Sequence, residues 1–209
     1  MRLWHTLRRL HRHLKQSRRV SAPRLPAFRP QLEALEERQL LSTMSAINCN
    51  SGGVEHQVVY TIGKNNDVLL SVDGRSPVSL GGYAKQISAG LDATGHPEVF
   101  AIGSDNAVYE NRGNGWVDLG GYAQRISASR PLPFTTSPIV FAIGIDNAVY
   151  ANQGNGWSDV GGYALEISAP PINWSYWSFN WPEVFAVGLD HGEYVHTIFG
   201  WQSLGGQLL

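Results

Sequence analysis

The chain has 209 residues, with 16 Lys and Arg against 17 Asp and Glu, one Cys, 23 Gly and 11% aromatics that include seven Trp. A lone Cys49 excludes an internal disulfide framework and any paired-cysteine metal or redox motif, and no run of 18 apolar residues encodes a membrane-spanning helix. Charged residues are 16% of the chain, below the roughly 25% of an ordinary soluble domain, and Gly is enriched; this balance suits a turn-rich, all-β protein.

The near-neutral total hides two opposite parts. Residues 1 to 42 hold ten Lys and Arg and three acids, and the rest hold six bases and fourteen acids. Such asymmetry marks a boundary. Leu3, Leu7, Leu10 and Leu14 recur at helical spacing among arginines, which predicts a basic amphipathic leader helix within residues 1 to 30. Pro23, Pro26 and Pro30 end helical order. The Arg-rich, acid-poor composition fits a transit or export leader. A standard secretory signal would need an apolar core that is missing, and a nucleic-acid patch would need an accompanying recognition motif. No nucleic-acid partner is therefore expected.

Residues 31 to 43 form a linker that contains Leu35-Glu36-Glu37-Arg38-Gln39-Leu40-Leu41-Ser42. This stretch resembles the LEPR-x-LL signature of exported or surface proteins of planctomycete bacteria, with Glu37 in place of the usual Pro. The resemblance implies an extracellular or cell-envelope destination. The alternative is an ordinary capped helix of a cytoplasmic protein.

Residues 44 to 209 repeat one unit four times. Apolar doublets stand at Val59-Tyr60, Val99-Phe100, Val140-Phe141 and Val184-Phe185, 40, 41 and 44 residues apart. Each is followed by an apolar-Gly pair, an Asx-rich turn (Asn65-Asn66, Asp105-Asn106, Asp146-Asn147, Asp190-His191) and a strand centred on Leu69, Tyr109, Tyr150 or Tyr194. Gly115-Trp116, Gly156-Trp157 and Gly200-Trp201 come next, the first copy reading Gly74-Arg75-Ser76-Pro77 instead, and each unit closes on an apolar-Gly-Gly. Ile87-Ser88-Ala89, Ile126-Ser127-Ala128, Ile167-Ser168-Ala169 and, more faintly, Met44-Ser45-Ala46 open the units. Four short apolar runs per ~40 residues, separated by Gly, Asn and Asp, predict a β-propeller of four four-stranded blades near 44 to 82, 87 to 121, 126 to 162 and 167 to 206. Within a unit the predicted order is strand A (126 to 128), B (140 to 143), C (148 to 152) and D (157 to 160). Closure of so few blades in one chain is not guaranteed, and a ring shared with a second copy would serve equally.

The string Val-Phe-Ala-Ile-Gly-x-Asp-Asn-Ala-Val-Tyr, then Gly-Trp-x-Asp-Leu-Gly-Gly, resembles the repeats of tectonin-type propellers and of the related fucose-binding lectins. The resemblance covers residues 44 to 209 and implies non-enzymatic recognition of glycans or cell-wall polymers. It also implies sites between adjacent blades built from Trp or Tyr with Arg and Glu. Of that pattern this sequence matches Trp116, Trp157 and Trp201, which packing between blades explains as well.

A one-copy insertion needs a cause of its own. The join between strands A and B of the last unit, residues 170 to 182, carries Trp174, Tyr176, Trp177, Phe179 and Trp181. Strands A and C run parallel, so this join shares a rim with the C–D turns that hold Asn114 and Asn155. Aromatic faces there can stack on sugar rings while the Asn side chains bond hydroxyls. Hence Trp174, Tyr176, Trp177, Trp181, Asn114 and Asn155 are the expected ligand-binding residues. A protein contact or a plug of the channel are the alternatives for the same loop. No metal, cofactor or catalytic constellation is expected: the histidines are scattered and no HExxH, GxSxG or GxxxxGK occurs.

Overall fold

A computed structural model describes residues 43 to 131, 136 to 169, 184 to 197 and 199 to 207. The expected leader helix and the Trp-rich join lie outside these residues. The described chain is all-β, as its composition predicts. Its fourteen strands are β1 (Met44–Ser51), β2 (Val54–Ile62), β3 (Val68–Val72), β4 (Val78–Ser79), β5 (Ala84–Leu91), β6 (Pro97–Gly103), β7 (Ala107–Asn111), β8 (Trp116–Ala128), β9 (Val140–Gly144), β10 (Ala148–Asn152), β11 (Trp157–Ser168), β12 (Val184–Gly188), β13 (Gly192–Thr197) and β14 (Gly200–Gln207).

Strands pair antiparallel in chain order within one sheet of β1 to β4 and a second, continuous sheet of β5 to β14, with no pairing between β4 and β5, which gives four successive four-stranded meanders, hereafter the first to fourth sheets. The sequence separates strand D of one unit from strand A of the next, but β8 and β11 run through both. The first half of β8 closes the second sheet on β7, and its second half opens the third sheet on β9. The chain turns between the halves at Gly120 and Gly121, whose φ values of 71° and 72° lie in the left-handed region open to glycine.

Successive side chains of a strand point to opposite faces, and both faces of a middle sheet are covered. Val99 and Ala101 of β6 therefore pack toward Val58, Tyr60 and Val68 of the first sheet. Phe100 and Ile102 pack the other way, against Ile126, Ala128, Val140 and Ala142 of the third. The same alternation sends Ile139, just before β9, and Phe141 within it onto Ala169 and Val184. Two-sided burial explains why these runs read as unbroken apolar stretches. Fully burying each Phe or Ile contributes about 1.5–3 kcal/mol.

The recurring Ile-Ser-Ala has a separate cause. Ser45, Ser88 and Ser127 hydroxyls accept from the backbone N–H groups of Ala89, Ala128 and Ala169, one sheet further on, at 2.9, 2.8 and 2.8 Å. Gln86 does the same with its amide, which pairs both backbone groups of Ile126 at 3.1 Å. Each opening strand is thus tied to the next, and the sheets stack through these strands: β1 on β5, β5 on β8, β8 on β11. Among the described residues no comparable packing joins the first sheet to the fourth. On the far face of the fourth sheet Phe185 is 37% exposed, whereas its repeat equivalents Phe100 and Phe141 are 1% and 0% exposed.

Candidate functional site

Each of the three junctions between consecutive sheets forms a cleft of one design. Sequence supplies it in two pieces. The Gly-Gly-Tyr-Ala that ends one unit gives Tyr83, Tyr122 and Tyr163, and the following unit gives a Trp from its last strand together with a Tyr and an Asp. The first cleft gathers Tyr83, Asp105, Tyr109 and Trp116, the second Tyr122, Asp146, Tyr150 and Trp157, and the third Tyr163, Asp190, Tyr194 and Trp201. Their volumes are about 190, 410 and 380 Å³. Ser104 in the first gives way to Ile145 and Leu189 in the others, so the repeats differ at one turn position of the wall.

The Trp ring is fixed from behind. Indole N–H groups of Trp116, Trp157 and Trp201 donate to the carbonyls of Leu80, Gly120 and Gly161 in the preceding unit, at 3.0, 2.9 and 2.9 Å. Glycine is required where the ring lies down: a Cβ on Gly121 would meet Trp157 Nε1 at 2.9 Å. The packing role expected for these Trp residues is therefore present, and the same rings wall the clefts.

The Tyr–Asp pair is fixed by its turn. Tyr109, Tyr150 and Tyr194 hydroxyls each donate to the carboxylate four residues earlier at 2.7 Å. The other oxygen of Asp105, Asp146 and Asp190 accepts the N–H two residues on, at 3.1, 3.1 and 3.0 Å. The tyrosine bond, chiefly, holds each carboxyl below the ordinary carboxylate range, and it lifts the partner phenol above its own. Each cleft thereby keeps an ionised acceptor beside immobilised rings, which can take hydroxyl donors at its edge and apolar C–H surface at its centre.

The joining tyrosines are different. Tyr83, Tyr122 and Tyr163 are 70%, 63% and 63% exposed, although they recur in every complete junction. Their recurrence was readable in the sequence. The inference that repeated residues hold the repeat together hides them, because a ring this exposed contributes little to packing. The exceptions in the repeat fit the same geometry: the first unit lacks the Trp and the last carries Gln207 where the Tyr would stand.

Asn114 and Asn155 lie exposed in the turns after β7 and β10, at the opposite end of the strands from the Asp-bearing turns, and line none of these clefts. Their neighbours shape the turns: Asn111 and Asn152 side chains accept from Gly113 and Gly154 N–H at 2.7 and 2.8 Å. Trp174, Tyr176, Trp177 and Trp181 lie outside the described residues. Among the described residues no group of three or more His, Cys, Asp or Glu is placed to hold a metal ion, and no helix is long and apolar enough to cross a membrane.

No protein-family model matches the sequence, and no curated protein matches it. Solved structures do resemble the fold. A mutant of Aleuria aurantia lectin in complex with α-methyl-L-fucoside superposes with a TM-score of 0.55 at 17% identity, over 79% of this chain and 63% of that one. SapL1 lectin in complex with α-methyl fucoside gives 0.54 at 20%, over 79% and 63%. The Aleuria aurantia lectin structure described as a six-bladed β-propeller gives 0.53 at 16%, over 80% and 65%. The likeness defines the class of fold: the sheets stack as the blades of a β-propeller. The chain spans just under two thirds of the length of these lectins.

Proposed function

We propose that the protein is a non-enzymatic, lectin-like binder of carbohydrate, of a glycan or a cell-envelope polymer, and that its four sheets are four propeller blades. The observation that carries this reading is the exposed Tyr repeated in three clefts, each beside an anchored Trp and a Tyr-bonded carboxylate. Rigid aromatic walls with one fixed acceptor suit a ring that has an apolar face and hydroxyls at its edge. The fucosides in the similar lectins make fucose the first sugar to test. The Arg-rich leader and the stretch from Leu35 to Ser42 support export to the cell surface or medium. The aromatic join with Trp174, Tyr176, Trp177 and Trp181, with Asn114 and Asn155 on its rim, is a second proposed contact surface.

A glycan array with the full chain tests the reading. Selective binding is expected, with loss in a Tyr83→Ala, Tyr122→Ala, Tyr163→Ala variant, whose exposed rings can be removed without opening the core. A Trp174→Ala, Trp177→Ala, Trp181→Ala variant runs beside it. Loss only in this second variant would move the site to the aromatic join. No binding by the parent chain would refute the lectin reading and favour a scaffold that assembles through protein contacts.

A further inference from the structure

The sequence holds two Asn-Gly pairs, Asn114-Gly115 and Asn155-Gly156, and the fold puts both in the same place. They lie in the turns between β7 and β8 and between β10 and β11, immediately before Trp116 and Trp157. Asparagine is thermolabile, because the backbone nitrogen of the next residue can attack its side-chain carbonyl carbon and close a five-membered ring. Three local conditions govern the attack: a free Asn side chain, a free N–H on the next residue, and no side chain on that residue to hinder the approach.

Both turns meet all three. Asn114 and Asn155 are exposed, and among the described residues neither side chain has a hydrogen-bond partner. The turn is held instead by the Asn at its start, since Asn111 and Asn152 side chains accept from Gly113 and Gly154 N–H. Among the described residues the N–H groups of Gly115 and Gly156 have no backbone partner. Both glycines, at φ of 105° and 97°, have open space where a Cβ would stand. The other turns of the repeat lack these conditions. Asn106 and Asn147 are followed by Ala, and their side-chain oxygens accept from Lys85 Nζ at 2.7 Å and Gln124 Nε2 at 3.2 Å. Asp73-Gly74 follows β3, but His56 Nδ1 lies 2.8 Å from Asp73 Oδ2 and the Gln57 N–H donates to Oδ1 at 2.9 Å. These bonds hold the carboxyl below its ordinary range, and an ionised carboxylate is a poor electrophile. After β13 the pair is Phe199-Gly200, which has no carbonyl in its side chain.

We propose that Asn114-Gly115 and Asn155-Gly156 are self-modification sites, at which the folded chain converts each Asn into aspartate and isoaspartate. The Gly115 nitrogen bonds to Asn114 Cγ, the Cγ–Nδ2 bond breaks, and the side-chain amide group leaves as ammonia with the proton of the glycine nitrogen. Solvent water then opens the succinimide at one of its two carbonyls, which gives either aspartate or isoaspartate, the latter with its main chain running through the former side chain. Gly156 and Asn155 react in the same way. Each event adds one negative charge to a chain whose formal net charge is −1. Isoaspartate also adds one main-chain atom to a turn closed by the pairing of Asn111 with Trp116 or of Asn152 with Trp157. Those Trp rings wall the first and second aromatic clefts, so modification reaches two clefts and spares the third, whose Trp201 follows Phe199-Gly200. The chemistry needs no ligand and is independent of the lectin reading.

The full chain, kept folded at physiological temperature in mildly alkaline buffer made with heavy-oxygen water, tests this by mass-spectrometric peptide mapping. Asn114 and Asn155 are expected to become acids carrying the heavy oxygen, at least about tenfold faster than Asn106 and Asn147. Asn114→Gln and Asn155→Gln, which disfavour the five-membered ring from exposed turn positions, should each silence their own site and leave the other. In proton–nitrogen NMR the indole N–H signals of Trp116 and Trp157 should each gain a second component in step with conversion, while that of Trp201 stays single. Equal rates at all four Asn residues, or conversion only after unfolding in urea, would overturn the proposal. Conversion that leaves both indole signals single would overturn its reach into the clefts.

Discussion

Replacing Glu98 with Gln tests the charge buried at the junction of the second and third sheets. Glu98 and Glu110 are each only 4% exposed there, and Arg112 lies between them, its Nη2 2.9 Å from Glu110 Oε2 and its Nε 3.6 Å from Glu98 Oε1. Burial, opposed by Arg112 and reinforced by Glu110, pushes the Glu98 carboxyl from its ordinary 4.5 up to about 8. Its folded pKa is thus the higher one, so between about pH 5 and 8 the native protein holds a proton that the unfolded chain has released. Stability must fall as pH rises through this window, by about 1.4 kcal/mol per pH unit from this group. From pH 5.5 to 7.5 that amounts to roughly 3 kcal/mol. Gln keeps the shape and carries no titrating proton, so Glu98→Gln should gain on the parent by that amount over the same interval. Urea unfolding followed by Trp fluorescence at the two pH values measures it. Other titrating groups, such as His196, whose half-buried ring is held by desolvation below its ordinary pKa, are common to both proteins and cancel in the comparison. Asp92, Tyr60, Glu110 and Arg112, the charged or titratable groups that Glu98 senses, are likewise unchanged. Parallel pH profiles for parent and variant would refute the reasoning and mean that Glu98 is ionised in the folded protein.

Two further outcomes check the packing. Phe141→Ala should cost about 3–5 kcal/mol and Phe185→Ala roughly 1–2 kcal/mol, because the first ring is sealed between two sheets and the second is partly exposed; equal costs in chemical unfolding would show that something covers the fourth sheet. Gly121→Ala should destabilise by more than about 2 kcal/mol, since it adds a clash with the Trp157 ring to an unfavourable backbone. Gly113→Ala, with φ of 94° but open space around its Cβ, should cost only the backbone part, about 1 kcal/mol; similar losses at the two sites would show that the Trp157 ring does not rest on Gly121.

The repeat, its four strands and its turn chemistry were legible in the residues, because a strand's pattern follows from local alternation and its ends from Gly and Asx. Val140 to Ile143 and Ala148 to Asn152 lie in β9 and β10 as read. The fusion of strands D and A into β8 and β11 was not legible: Gly120-Gly121 reads as a break, and only pairing on both sides makes it a bend within one strand. The clefts required the tertiary structure for a similar reason. Each draws its exposed Tyr from one unit and its Trp, Asp and second Tyr from the next, so no single repeat contains a site. Sequence made Trp116, Trp157 and Trp201 candidates for packing or binding, and the fold gives them a place in both. Glu98, Glu110 and Arg112 are unremarkable in a linear reading. Only the strand register, which sets them against Val58, Leu70 and Val72 in one neighbour and Ile139, Ala151 and Gln153 in the other, reveals charge buried where its equivalents are mostly apolar.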